Sequence, residues 1–277
     1  MSDGPIGNLR KMQVTLAEPV QYTLKLVKGD TETAIDMNSL IGQSIQLHYT
    51  GLINCVACGR KSNKSFQQGH CFPCMRSLPQ CDSCIVKPET CHFEQGSCRD
   101  EAWGIQHCMQ DHYVYLANSS GIKVGITRGT QVPTRWIDQG ATQALPIFKV
   151  ATRLQSGLVE VALKQHISDR TDWRKMLKGQ AEYVDMAARR DLLLEQCGHA
   201  LQELSERFEG QIEPLPEAEV VNIHYPVNQY PEKVSSLNFD KTPEVSGILQ
   251  GIKGQYLILD SGVINIRKFS GYQVELR

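Results

Sequence analysis

The placement of the cysteines constrains this chain more than any other feature. Of ten cysteines in 277 residues, nine fall between Cys55 and Cys108, and only Cys197 lies outside. A run this rich in thiols folds around disulfides or around metal, and the redox compartment decides which. The first residues, Met1 to Asn8, hold no apolar run and no cationic lead-in, so the reading expects no secretory signal. No stretch approaches the ~18 consecutive apolar residues of a membrane span. Both features predict a cytoplasmic protein without membrane association, and reducing conditions there disfavour structural disulfides.

Spacing then favours metal. Cys55-x-x-Cys58 is followed after twelve residues by Cys71-x-x-Cys74. Two residues between thiolates let one tight turn aim both sulfurs at one ion, and two such turns complete a tetrahedron with Zn–S near ~2.3 Å. Gly59 and Gly69 flank the pairs where the turns need permissive backbone. The expected cofactor is a structural zinc, with iron as the alternative that tetrahedral sulfur also suits. Four thiolates leave no open position for water, so the site reads as structural, not catalytic.

A second set follows: Cys81, Cys84, Cys91, His92, Cys98, His107, Cys108 and His112. Eight donors for four places leave the assignment open. Cys81, Cys84, Cys91 and Cys98 are the preferred ligands of a second zinc, and Cys108 with His112, four apart on one helical face, can replace two of them. Residues 55–112 carry few apolar runs, so metal takes the place of a core there.

The remainder predicts an α+β multidomain chain. Residues 1–54 read as β-rich, from the period-two runs Met12–Leu16, Tyr22–Val27 and Ser44–Tyr49. From 113 to 212 an α/β domain is expected. Tyr113–Ala117 and Ile122–Ile126 form a hairpin about Asn118–Gly121, Ile147–Thr152 forms a third strand, and Leu158–His166 has helical spacing. One long helix is expected from Ala181 to Phe208, with Leu193, Cys197, Leu201, Leu204 and Phe208 on one stripe. Pro214 and Pro216 mark a linker. Residues 213–277, with a hairpin of Tyr256–Asp260 and Val263–Ile266 and glycines at 247, 251, 254 and 271, read as a small β-barrel or sandwich.

The segment after residue 112 carries the sharpest functional motif. Tyr115 lies in Val114-Tyr115-Leu116, Gly125 in Lys123-Val124-Gly125, Arg135 beside Trp136, and Glu160 comes 25 residues after Arg135. This order resembles the GIY-YIG nuclease family over roughly 60–70 residues. The resemblance implies a site in which Glu160 holds a divalent metal such as Mg²⁺, Arg135 meets the scissile phosphate, and Tyr115 helps activate water. The sequence departs from the family pattern in three places. Lys123 stands where the second tyrosine would be, Tyr113-Val114 replaces the leading Gly-Ile, and the interval from Gly125 to Arg135 is about two residues longer than the family pattern. The candidate catalytic residues are therefore Tyr115, Lys123, Arg135 and Glu160. The chain also resembles, over nearly its full length, an uncharacterised bacterial family known as a domain of unknown function. That likeness rests on Cys81–His92, Lys123–Arg128 and Arg135–Ala141.

Charge adds a partner class. The net charge is −1, yet residues 121–180 hold ten Lys and Arg against four acids, a local +6. A cationic field of this kind favours phosphate backbones, and Trp136 and Trp173 offer rings for base stacking. The expected function is zinc-stabilised nucleic-acid binding, with RNA or single strands favoured over duplex and metal-assisted phosphodiester hydrolysis as the chemistry. The alternative is a non-catalytic module that docks a protein or ribonucleoprotein. No Gly-rich loop ending in Lys-Ser/Thr and no Gly-x-Ser-x-Gly occurs, which excludes phosphate-loop ATPase and serine-hydrolase readings.

Overall fold

The computed structural model describes residues 4–179 and 181–277. In chain order the strands are β1 (Ile6–Leu9), β2 (Gln13–Thr15), β3 (Gln21–Lys28), β4 (Thr31–Asp36), β5 (Ser44–Ile53), β6 (His112–Asn118), β7 (Ile122–Arg128), β8 (Gln143–Val150), β9 (Ile212–Pro214), β10 (Val221–Asn222), β11 (Glu244–Lys253), β12 (Tyr256–Leu259), β13 (Gly262–Asn265) and β14 (Tyr272–Leu276). The helices are α1 (Phe72–Ser77), α2 (Glu101–His107), α3 (Thr134–Asp138), α4 (Arg153–Leu163), α5 (Trp173–Leu177), α6 (Met186–Gln196) and α7 (Gly198–Arg207). Mixed α/β content of this kind agrees with the expected class, and every ladder between these strands is antiparallel.

The chain forms two compact units. One comprises the chain up to Arg76, Leu177–Gly179 and His224–Arg277; the other comprises Ser77–Met176 and residues 181–223. The first unit is built on a nine-stranded sheet, β13-β12-β11-β5-β14-β1-β3-β2, with β4 on β3. Its strands follow the period-two rule, since Tyr22, Leu24 and Leu26 alternate into the core of β3 and Ile45 and Leu47 do so in β5. The sequence reading set residues 1–54 apart from 213–277. The ladders instead pair β5 with β11 and β14, and β1 with β14, so both ends of the chain share one sheet. Strands this far apart in the chain leave no local signature of their pairing. Tyr49, Phe239, Phe269 and Tyr272 close this core, with centroids 4.9 Å apart for Phe239–Phe269 and for Tyr49–Tyr272.

The second unit has a five-stranded sheet, β10-β8-β6-β7, with β9 on β8. Strand β6 lies between β7 and β8, and Val114, Tyr115, Leu116 and Ala117 are all fully buried, which explains its unbroken apolar run. Val114 and Leu116 join Val124, Ile147, Val159, Leu163 and Leu193 in one core. Helix α4 begins at Arg153, ahead of the expected start at Leu158, because Thr152 and Gln155 form a capping box: Gln155 N–H donates to Thr152 Oγ1 (3.3 Å) and Thr152 N–H to Gln155 Oε1 (3.0 Å). The long helix expected over 181–208 is two helices. It starts only after the Asp185 cap and breaks at Cys197, whose φ of −101° and ψ of 5° leave the helical region just before Gly198. The stripe still works across the break: Leu193 and Cys197 are buried in the core, and Leu201, Leu204 and Phe208 pack against it.

Candidate functional site: a four-cysteine centre and a buried polar cluster

Cys55 and Cys58 lie just beyond β5, Cys71 precedes α1, and Cys74 lies within it. Backbone bonds shape both turns. Gly59 N–H reaches Cys55 O (2.9 Å), and Val56 N–H reaches Gly69 O (2.8 Å). Gly69 has φ +121°, and a Cβ there would sit 2.4 Å from Val56 Cγ1, so only glycine fits. The turns are tied to the sheet by Asn54 N–H to Gly271 O (2.8 Å) and by Asn8 Nδ2 to Asn54 Oδ1 (3.1 Å).

All four sulfurs lie within 4.8 Å of one another, and Cys58 and Cys71 are 3.7 Å apart. A tetrahedron with ~2.3 Å bonds spaces its sulfurs by about 3.8 Å, so the geometry suits zinc. Burial pushes the Cys55 thiol up. Backbone N–H groups of Cys58, Cys71 and Ala57, together with the Cys58 thiol, outweigh burial and bring it down to about 6. Arg10, half-buried nearby, adds positive charge beside Cys55. These four cysteines form a site compatible with a structural zinc.

The second set is arranged differently. Cys81 and Cys84 lie in single turns at Pro79–Cys81 and Ser83–Ile85, Cys91 closes the turn Pro88–Thr90, and Cys108 ends α2. The Cys91 and Cys108 thiols lie within electrostatic reach of each other, and Cys84 lies within reach of Cys91, Cys98 and Cys108. Asp82, Cys84 and His92 also bring one ligand atom each within 4.8 Å. Asp82 is already engaged by Arg99 Nε at 2.7 Å. Cys98 Sγ is 3.3 Å from Asp100 O. His107 Nδ1 meets Trp103 O (2.8 Å), and its ring stacks on Trp103. His112 is fully buried. Its Nδ1 meets Gln110 O (2.7 Å), Nε2 has no partner among the described residues, and burial lowers it to about 4.

Tyr115, Lys123, Arg135 and Glu160 come together in the second unit. Tyr115 on β6 pairs directly with Gly125 on β7. A Cβ on Gly125 would sit 2.8 Å from the Tyr115 hydroxyl and Cζ, so this glycine makes room for the ring. The ring meets Trp136 edge-on at 5.9 Å. Arg135 on α3 lies within electrostatic reach of Tyr115. Gln139, one turn beyond Arg135, joins the remaining pair: its Nε2 donates to Tyr115 Oη (2.5 Å), and Lys123 Nζ donates to its Oε1. Glu160 on α4 lies within electrostatic reach of Tyr115 and Lys123, with Asp169 and Glu89 beside it.

Burial perturbs three of these groups. It lowers Lys123 to about 8; Arg135 adds to that effect, while Glu160 and Asp169 oppose it. Burial raises the Glu160 carboxyl, with Asp169 and Glu89 reinforcing and Lys164 and Arg135 opposing. Burial also raises the Tyr115 phenol against Arg135 and Gln139. A largely withdrawn carboxylate with two more close enough to raise it is a setting that a hard divalent cation neutralises.

Two features differ from the sequence reading. Trp136 is 3% exposed and packs against Tyr115, so it offers no stacking platform. Trp173 has Arg174 over its ring at 4.3 Å. Gln139 carries no motif that marks it as a site residue, whereas Asp169 belongs to the polar run Asp169–Arg174, which reads from sequence as able to line the same cleft. The only cue to Gln139 was its (i, i+4) spacing from Arg135. Among the described residues no helix is long and apolar enough to cross a membrane.

The family described as "Protein of unknown function (DUF2797)" matches residues 42–274, so the chain belongs to that family. No curated protein and no solved structure matches the chain.

Proposed function

We propose that this protein binds nucleic acid through its central segment, is stabilised by a zinc in the Cys55–Cys58–Cys71–Cys74 site, and hydrolyses phosphodiesters with a GIY-YIG-like core. The observation that carries the reading is the convergence of Tyr115, Lys123, Arg135 and Glu160. They come from four elements, β6, β7, α3 and α4, and they follow the chain order that the resemblance implies. Energetically this cluster has a cost. Lys123 and Glu160 are mostly withdrawn from water, and perturbed groups of this kind concentrate at functional sites. The local +6 of residues 121–180 supports a polyanionic partner.

Within this reading, Arg135 supplies a planar guanidinium for a phosphate. Glu160, with Asp169 and Glu89 around it, would hold a Mg²⁺ ion, which when bound supplies Lewis acidity at the phosphate. Lys123 adds a buried cation beside the same position, and Tyr115 contributes its hydroxyl. RNA or single-stranded nucleic acid is the favoured substrate.

The test uses zinc-loaded protein with labelled RNA, single-stranded DNA and duplex DNA at two salt concentrations, with and without Mg²⁺. The expected result is binding that weakens steeply with salt and Mg²⁺-dependent cleavage lost in Glu160→Ala. No binding at low salt refutes the reading. Binding without cleavage, unchanged by Glu160→Ala, moves it to a non-catalytic protein or ribonucleoprotein interaction module.

A further inference from the structure

The hydrogen-bonding of Gln139 fixes something the four-residue cluster leaves undecided, namely which way Tyr115 uses its hydroxyl. An amide side chain can face a neighbour with its oxygen or with its N–H₂. Two partners independently set the choice. Lys123 Nζ, as an ammonium, can only donate, so it must meet Oε1. The carbonyl oxygen of Arg135, 3.2 Å from Nε2, can only accept, so it must meet an N–H. Both demands give the same orientation without reference to Tyr115. The second N–H then points at Tyr115 Oη, 2.5 Å away. Arg135, a cation within electrostatic reach, offers that oxygen no acceptor either. The Tyr115 oxygen is therefore an acceptor in the resting protein, and its own proton is what remains for a ligand.

We infer that Gln139 is a positioning residue that commits Tyr115 to act as a hydrogen-bond donor toward a phosphate oxygen, in place of acting as a base toward water. The inference rests on the phosphodiester reading for its ligand class, but its geometry stands on Gln139, Lys123, Arg135 and Tyr115 alone. It also gives Lys123 a task at the position where the family pattern has a second tyrosine. The ammonium holds the amide, and the amide holds the phenol. No atom is transferred in this arrangement. It sets which partner carries the hydrogen when a phosphate oxygen enters.

The experiment compares wild type with Gln139→Glu and Gln139→Met. In Gln139→Glu the introduced carboxylate still pairs with Lys123 at neutral pH but cannot donate, so Tyr115 must turn its proton onto it. In Gln139→Met the thioether keeps the volume and removes both bonds. Protein labelled with ¹³C at tyrosine Cζ is titrated with inorganic phosphate, the Tyr115 resonance being identified by its loss in Tyr115→Phe, and melting curves establish that each variant folds. In wild type, phosphate is expected to move the Tyr115 resonance. In Gln139→Glu the free resonance is expected at a new position, with phosphate affinity reduced roughly tenfold, the scale of one lost hydrogen bond to a charged group. Gln139→Met is expected to lose affinity less, since Tyr115 keeps its proton free.

Cleavage, where wild type shows it, should fall in kcat more than in KM for Gln139→Glu. A Tyr115 resonance and phosphate affinity unchanged in both variants overturn the inference. So does Gln139→Glu behaving as wild type while Gln139→Met fails, which would make the residue a packing element. If wild type cleaves no nucleic acid, the nuclease reading fails, and the resonance and phosphate measurements still decide the role of Gln139.

Discussion

Replacing Gly125 with alanine tests the most specific packing relation in the site. A Cβ at this position would lie 2.8 Å from Tyr115 Cζ and Oη, about 0.7 Å inside the ~3.5 Å at which carbon atoms pack. Backbone strain is not the issue, since Gly125 is not among the glycines with positive φ. The question is whether the ring can give way. Tyr115 is fully buried, Trp136 meets it edge-on at 5.9 Å, and Gln139 holds its hydroxyl at 2.5 Å. Relief therefore requires a shift of a packed ring and a stretched hydrogen bond. Overpacking costs ~1–3 kcal/mol and the bond ~1 kcal/mol, so Gly125→Ala should destabilise by about 2–4 kcal/mol. For a unit of this size, that corresponds to a melting shift of roughly 4–15 °C. Thermal and urea unfolding measure it, and a double-mutant cycle isolates the cause. In a Tyr115→Leu background, which removes the distal ring atoms, the same change should cost under ~0.5 kcal/mol. An equal cost in both backgrounds, or a cost near zero in wild type, would refute the reasoning.

Three further predictions follow from the same structure. Cys71→Ser should remove one bound zinc per chain and lower the melting temperature of the zinc-loaded protein; metal content by mass spectrometry and a chelator titration of wild type check this, and retention of zinc by the variant argues against the four-thiol site. Thr152→Ala should cost ~0.5–2 kcal/mol by removing the α4 cap, read by chemical denaturation. Lys123 carries its folded-state value down to about 8 from an ordinary 10.5, so the unfolded chain binds more protons between those values and stability should rise with pH across that window. The full difference is roughly 3 kcal/mol, and Lys123→Met should reduce the pH dependence, leaving the share of Lys253, which burial also lowers to about 8, while weakening nucleic-acid binding; a pH–stability profile unchanged by the substitution refutes the assignment.

Local chemistry made part of this molecule legible. Two Cys-x-x-Cys turns in register specify a shared ion because the turn itself aims the sulfurs, and the four thiols do gather within 4.8 Å. The hairpin of β6 and β7 was readable from two apolar runs around an Asn-Ser-Ser-Gly turn, and it places Tyr115 opposite Gly125 as pairing demands. Arg135 and Glu160 could be picked out because a motif order is a property of the chain.

What depends on distant partners was not legible. The shared sheet of β5, β11, β14 and β1 joins the two ends of the chain, and no residue near Ser44 signals that its neighbour will be Ile248. Trp136 reads as an exposed aromatic by composition and is a buried one by packing. The break at Cys197 lies inside a stripe whose periodicity continues across it, so hydrophobic spacing could not reveal it. The Cys91 and Cys108 thiols come within electrostatic reach of each other, a proximity the spacing left open because both follow turns whose directions it does not set. Gln139 is the clearest case. Glutamine has no charge and no motif, and its significance arises only when folding brings a donor-only amine, an acceptor-only carbonyl and a phenol around one amide. Sequence determined which groups were present and which neighbours along the chain could share a turn. Tertiary structure decided which polar atoms lost water together, and that shared desolvation is what turns ordinary side chains into a candidate site.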